Sequence, residues 1–391
     1  MDPSKTQLME SVFAGGGEMA ALMRALDWST TPLGPVDKWP QALRTSVRIV
    51  LGGGYAMGIF WGSDFTYLYN DAYIPLIGTK HPRVLGHPCR ELYAEAWDFV
   101  KPIFDEVVRE QKASFLADQP APINRSNYLE DCYFTMSLSP IPDDSGNVGG
   151  VLITVLETTE RVLEDRRRQV LRDLASRTAG ARNEQEVWPI SAEILGQDRL
   201  SFPFAFLYEY RTSEHQAYLS GASVETNEAL RPPVIDCHSE NLWRFDPALA
   251  RDGVVVELGN RASGVPVPNW AFPPKEASVV PIRLGEHSEA LGFLVAGIHP
   301  GRAFDDAYRQ FVYRITEQIT IGLASARAYE QERQRAEGLA ELDRTKTAFF
   351  SNVSHEFRTP LIVLRELPQA AATLAMKKPP CVGLDLREFR R

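Results

Sequence analysis

The segment ETTERVLEDRRRQVLRDLASRT, residues 157 to 178, constrains the fold of this chain more than any other stretch. Its charges alternate in sign, while Val162, Leu163, Val170, Leu171 and Leu174 are spaced for one helical face. It reads as a helical connector, which leaves the strand-forming stretches before and after it to build separate cores. A length of 391 residues allows two or three such domains.

The first domain is expected over residues 27–160, after an N-terminal extension, 1–26. Short apolar runs, GIFW (58–61) and FTYLYN (65–70), precede a helix-rich middle from about Ala72 to Lys112. In YFTMSLS, 133 to 139, Phe134, Met136 and Leu138 alternate with Thr135, Ser137 and Ser139, as a half-buried strand requires. DDSGNVGG (143–150) then reads as a hairpin loop before VLITVLE. This order predicts a small α+β sheet with helices on one side.

A helical linker, 161–180, leads to a second α+β domain, 181–325, with strands expected at FAFLYEY (204–210), AYLSGAS (217–223), GVVVEL (253–258), SVVPIRL (278–284) and ALGFLVAGI (290–298). A helix beginning near Asp305 closes it and runs on through YEQERQRAEGLAELDRTKTAFFSNVSHEF, with only Gly322 and Gly338 weakening its propensity. Ala326, Tyr329, Ala336, Leu339, Leu342, Phe349 and Val353 recur at spacings of three, four or seven with one slip, an imperfect coiled-coil stripe that predicts a parallel dimer. The divisions are a coiled-coil linker, 326–345, a segment 346–378 that carries the chemistry, and a tail, 379–391.

Composition narrows the partners. With 44% hydrophobic and 24% charged residues the chain reads as ordinary globular protein, and a formal charge of −9 gives no electrostatic reason to expect nucleic acid or an anionic membrane. Cys89, Cys132, Cys237 and Cys381 lie far apart without a CxxC pair, which suggests neither a zinc site nor a disulfide framework and fits a reducing cytoplasm. The N-terminus lacks the apolar core of a signal peptide, and Ile49 to Trp61 is too short to span a bilayer. The expectation is a soluble, cytoplasmic protein.

The chemistry lies in AFFSNVSHEFRTPL, 348 to 361. Phe350, Val353, Phe357 and Leu361 stand at i, i+3, i+7 and i+11, which predicts one buried stripe. At about 100° per residue His355 lies about 160° from Val353 and Phe357 and so faces solvent. With an unperturbed pKa near 6.5, an exposed imidazole has a nucleophilic nitrogen at neutral pH. A carboxylate close by, Glu356, can fix the tautomer and draw off the proton. Pro360 removes the amide that would bond to the carbonyl of Glu356, so a kink or loosening is expected there.

The string S-x-x-S-H-E-F-R-T-P-L closely resembles the phosphoacceptor motif of sensor histidine kinases, preceded here by a charged coiled coil and LDRTKTAFF. The resemblance implies His355 as phosphoacceptor, Glu356 as its acidic catalytic partner and Thr359 as a residue that orients water for dephosphorylation, with Arg358 and Pro360 as motif neighbours. Upstream, DWSTTPLGPVDKWPQALRTSV, YLYNDAY and ETTERVLEDRR resemble a PAS sensor domain of bacterial hybrid kinases. ALGFLVAGIHPGRAFDDAYRQFV resembles the last strand and helix of a GAF domain. The family's partners would be a second copy of the chain, a response-regulator receiver domain and a full-length histidine kinase acting in trans.

That family also carries an ATP-binding domain with an asparagine-rich helix and glycine-rich loops. The residues after Leu361 contain no asparagine and one glycine, Gly383, and no Walker-type loop lies earlier. The expectation is a kinase shortened to its input and phosphoacceptor parts, holding no cofactor itself, its ATP bound by the missing domain and its PAS and GAF ligands unknown. The alternative is a non-catalytic sensory dimerisation module that regulates full-length kinases. A third reading is a degenerate product whose apolar stripe lacks a packing partner.

Other residues read as structural. GHPCRELY shares only Cys-Arg and a following leucine with the flavin-linking segment of blue-light LOV domains, so Cys89 reads as a core cysteine. RPPVIDCHSENLW around Cys237 lacks the motif of bilin-binding GAF domains. His238, His287 and His299 show no metal-ligand spacing. Trp61, Tyr67 and Tyr69 line a cavity or, as aromatic residues on strands mostly do, pack as core, and GGGY (52–55) reads as a turn.

Overall fold

The computed structural model describes residues 3–92, 97–124, 129–268, 270–285 and 288–375, the last of these, from 359, by helical path alone. His287, Cys381 and the 379–391 tail lie outside the described residues, as do the side chains of Thr359, Pro360 and Leu361. Two compact units make up the chain, Met1–Leu323 and Ala324–Arg391.

The first unit opens with α1 (Pro3–Val12), α2 (Glu18–Ala25) and α3 (Gln41–Leu51). A sheet follows, built from β1 (Ala56–Trp61), β2 (Thr66–Tyr69), β3 (Ser114–Pro120), β6 (Tyr133–Pro142) and β7 (Val148–Glu157). Between its strands come α4 (Ile74–Ile77), α5 (Cys89–Leu92), α6 (Trp97–Glu110) and a small hairpin of β4 (Ile123–Asn124) with β5 (Leu129–Glu130). The sheet order is β2-β1-β7-β6-β3, antiparallel throughout.

Local sequence explains these elements. In α3 the buried Leu43, Val47, Val50 and Leu51 fall at i, i+4, i+7 and i+8, one helical stripe. Its N-cap is Pro40, which has no capping side chain. The free N–H groups of Gln41 and Ala42 instead donate to Asp144 at 3.2 and 3.3 Å. Asp144 is held there by the β6–β7 hairpin, whose turn is ordered by Asp143 accepting from Ser145 N and Asn147 N at 2.9 and 3.0 Å. The hydrogen bond from the Ser145 hydroxyl, with those amides, holds the Asp143 carboxyl below the usual range.

Aromatic rings fill the core. Phe60 stacks on Tyr67 with centroids 4.6 Å apart, Tyr67 on Tyr69 at 4.9 Å, and Phe104 of α6 meets Phe60 at 4.7 Å. The 1–26 segment, an extension by sequence, belongs to this core: Phe13, Met19 and Met23 are fully buried, and Phe13 lies 5.8 Å from both Trp28 and Trp39. Asp71 accepts the N–H of Met19 at 2.9 Å, fixing the start of α2.

The connector is α7 (Thr159–Thr178), followed by α8 (Glu184–Gln197). The second sheet comprises β8 (Ala205–Arg211), β9 (Gln216–Ala222), β10 (Val234–Asp236), β11 (Val254–Glu257), β12 (Glu276–Arg283) and β13 (Ala290–Gly297), ordered β10-β9-β8-β13-β12-β11 and antiparallel throughout. Asn183 caps α8 by accepting from Glu186 N at 3.0 Å. The helix lies directly on the sheet at Gly221, where a Cβ would stand 2.6 Å from the carbonyl oxygen of Trp188 and 2.9 Å from Ala192 Cβ. The last helix, α9 (Asp306–Ala375), starts on this domain, and Gly322 lets it approach Thr178 of α7, to which a Cβ would come within 2.9 Å. Gly322 is therefore a point of close packing rather than a weak spot.

The two domains meet through buried polar groups. Asp131 accepts from Arg302 Nη2 and Nε at 2.7 and 3.2 Å, with 6% and 7% of the two side chains exposed, and its own N–H donates to Gly301 O at 2.9 Å. Beside them His299 is fully buried, its Nδ1 accepting from Gly301 N at 3.1 Å. Burial first, then the charge of Arg302, pushes the imidazole down to about 4, so it is neutral at neutral pH.

Two outcomes follow from this packing. Gly221→Val, which forces α8 off the sheet, is expected to destabilise the protein by about 1–3 kcal/mol in denaturant unfolding, against an unchanged midpoint if the contact has slack. Because the folded-state pKa of His299 lies below the unfolded value, the stability this neutral histidine confers is complete above about pH 6.5. It is lost as pH falls toward 4, up to about 3 kcal/mol in all. Unfolding measured across that window should lose this slope in His299→Gln.

Candidate functional site

Between the inner face of the first sheet and its helices lies a narrow apolar cavity of about 60 Å³. Leu116, Met136 and Ile153 form its sheet side, and Ile77, Ile103 and Phe104 its helical side. Among the described residues, only Tyr73 and Lys80 bring polar side-chain groups to its lining. Such a lining suits an apolar group with one polar end, and a molecule of any size would have to widen the cavity to enter. Phe104 reaches it because α6 buries Phe104 and Val107, three residues apart, toward the sheet.

Trp61, Tyr67 and Tyr69 are core residues and do not line this pocket. Tyr69 packs against Tyr67, its hydroxyl lies 2.8 Å from His81 Nδ1, and the other ring nitrogen of His81 lies 3.0 Å from Glu18. Sequence reasoning did not find the pocket. Its lining is the same alternating and helical apolar pattern that signals core, and only the gap left between packed side chains distinguishes it.

The motif residues sit on α9 within the second unit. His355 and Glu356 are both exposed, as the helical spacing predicts, and adjacent positions diverge by about 100°, so the two side chains flank one exposed surface. The stripe beside them is not buried: Phe350 and Phe357 are 56% and 65% exposed, and Val353 is half-buried. The expectation of a buried stripe is corrected here, because one helix supplies the apolar face without the surface that covers it. α9 also runs through Pro360 and Pro368 to Ala375 as one helix, where the sequence suggested a kink and left a second helix in doubt. Thr359 lies outside the described side chains.

The described cysteines fit no reactive site. Cys89 is buried and its thiol is pushed up by burial, while Cys237 is pushed up to about 11 by burial and then by Asp236 and Asp246. The rings of His215 and His238 are 4.3 Å apart, but among the described residues no group of three or more His, Cys, Asp or Glu is placed to hold a metal ion. Among the described residues no helix is long and apolar enough to cross a membrane.

Residues 56–163, spanning β1 to the first turn of α7, match the PAS fold family. No curated protein matches the chain. Among solved structures, the GAF domain of an Acinetobacter phosphoenolpyruvate-protein phosphotransferase is similar at 14% identity, over 41% of this chain and 95% of that one, with a TM-score of 0.31. A sensory box sensor histidine kinase from Vibrio cholerae is similar at 19% identity, over 29% and 90%, with a TM-score of 0.23. A free methionine-R-sulfoxide reductase from Neisseria meningitidis, solved with its substrate, is similar at 17% identity, over 41% and 90%, with a TM-score of 0.31.

The architecture is α+β, two antiparallel-sheet domains, the first of which matches the PAS fold over residues 56–163, followed by a long helix.

If the pocket admits small molecules, Ile103→Trp should fill it. Binding of an apolar fluorescent dye such as anilinonaphthalene sulfonate is expected to weaken about tenfold while the unfolding midpoint stays close to that of the parent. Equal dye binding by both proteins would place the dye elsewhere.

Proposed function

We propose that this protein is the sensory and phosphoacceptor part of a two-component histidine kinase system. One observation carries the reading: an intact S-x-x-S-H-E-F-R-T-P-L motif whose histidine is exposed on a helix that follows PAS and GAF-like domains. In this reading a kinase catalytic domain outside the residues described presents ATP to His355. The unprotonated ring nitrogen attacks the γ-phosphorus, the N–P bond forms as the bond to ADP breaks, and the proton on the other nitrogen passes to a nearby base, the role given to Glu356. The phosphoryl group then moves to an aspartate of a response-regulator receiver domain. Thr359 orients the water that reverses the modification.

A homodimer completes the site, its helices meeting along the exposed apolar residues of α9, and the apolar pocket of the PAS domain receives the sensed molecule. ATP is handled by the catalytic domain, so no cofactor is assigned to the sensory part.

The exposure of Phe349, Phe350 and Phe357 also favours a second reading, a sensory module that pairs with full-length kinases without phosphate chemistry. Labelled ATP separates the two. With a complete sensor histidine kinase added, the protein is expected to gain acid-labile, base-stable label, and His355→Gln to lose it. Label that survives the substitution, or no label in either mixture, discards the phosphoacceptor reading and leaves the binding module.

A further inference from the structure

We propose that Asp131 and Arg302 form a latch through which the wall of the PAS pocket sets the position of the first turns of α9. The inference rests on the sensory reading of that pocket and is independent of any chemistry at His355.

The path is continuous. Ala121, just after β3, and Ile123 of β4 line the pocket together with Phe134 of β6, and Ala121 N donates to Cys132 O at 2.9 Å. Asp131 is therefore tied to the pocket wall both along the chain and across it. On the other side of the seam, Arg302 places two nitrogens on the same Asp131 oxygen while the Asp131 N–H holds the carbonyl of Gly301. Gly301 has no freedom to yield: His299 accepts its N–H, and the ring of Trp270 lies where a Cβ would come within 2.4 Å.

Four residues beyond Arg302 the long helix begins. Asp305 caps it by accepting from Tyr308 N at 2.8 Å, and the Tyr308 hydroxyl donates to Ser201 O. Arg167 of α7 lies over Tyr308 and Phe311, 5.8 and 5.5 Å from their centroids, and its neighbour Arg166 lies 4.7 Å over Tyr133 while donating to its hydroxyl at 3.0 Å. A displacement of the 131–133 segment thus reaches the start of α9 through a short turn, 299–305, that is pinned at Gly301, Arg302 and Asp305.

A buried, multiply bonded ion pair is either made or broken, which gives the seam two discrete states. The pair joins residues 171 positions apart, and neither partner is needed to close its own domain's sheet. Its position suits communication between domains.

The test is amide hydrogen exchange over residues 306–323 in the full chain, without ATP or kinase. Two substitutions disturb the pocket wall in opposite senses: Ala121→Leu adds bulk and Ile123→Ala removes it. With the latch intact, each is expected to change exchange at the base of α9 by about threefold or more. In the background Asp131→Asn with Arg302→Met, which removes both charges and leaves neither unpaired, the same wall substitutions should leave that exchange unchanged. Arg302→Lys, which keeps the charge but loses the two-nitrogen grip, is a milder background and should reduce the response. Equal responses in all backgrounds would overturn the latch in favour of coupling through α7, and no response in any of them would overturn coupling itself. Neither result bears on whether His355 accepts phosphate.

Discussion

A guanidinium and a carboxylate, each nearly sealed from water, hold the two domains together. Burying Arg302 and Asp131 separately would be prohibitive, and together they remain affordable only because the geometry is good: two nitrogens on one oxygen and a backbone hydrogen bond alongside. Removing one partner from such a pair costs about 3–5 kcal/mol, since the other is left charged and buried. The neighbourhood raises the stakes. Burial first, and then the positive charges of Arg302 and Arg166, hold down the His299 imidazole, and burial followed by the charge of Arg302 likewise disfavours the charged form of Arg167. Asp131 is thus a principal counter-charge of an otherwise positive seam, and His299 belongs there in its neutral form.

The two domains share a rule of construction that explains where force can leave them. In each sheet the first strand of the domain pairs with the last: β1 with β7, and β8 with β13. The final strand therefore lies in the middle of its sheet, and in each domain it leads toward a long helix, α7 directly after β7 and α9 a short turn after β13. An output helix that grows from a central strand is fixed by both neighbouring ladders. The seam joins these two outlets, because Tyr133 touches Arg166 of α7 while Arg302 precedes α9.

Much of this was legible in the sequence where one physical signal dominated. Period-2 alternation marked β6, apolar runs marked β8, β12 and β13, and the polar helical repeat of 157–178 marked the connector. The signal failed where local geometry or tertiary contact intervened. β3 escaped notice because it is an edge strand whose register shifts between Leu116 and Gln119, where Asp118 takes a φ of 51° and breaks the alternation. The N-terminal helices read as an extension because their role depends on Trp28 and Trp39, aromatic partners that no helical period reveals. His355 was found by motif and its exposure by helical geometry, but a buried stripe was inferred from a pattern that records only which face is apolar. The pocket and the seam had no local signature: one is a gap, the other a pairing of distant residues.

The energies involved suit the switching proposed for the seam. A ligand shifts a conformational equilibrium only by the difference between its affinities for the two states, and allosteric couplings commonly amount to about 1–3 kcal/mol. A micromolar ligand binds with about 8 kcal/mol, so an apolar molecule that spent a fraction of that on rearranging the pocket wall could bias the seam. A seam worth much more than such a coupling would be locked, and one worth much less would be open at rest. Because the desolvation of a buried ion pair offsets much of its attraction, Asp131 and Arg302 join the domains without adding a large net energy. Apolar packing of the same area would have joined the domains as firmly but without a pair whose state can switch.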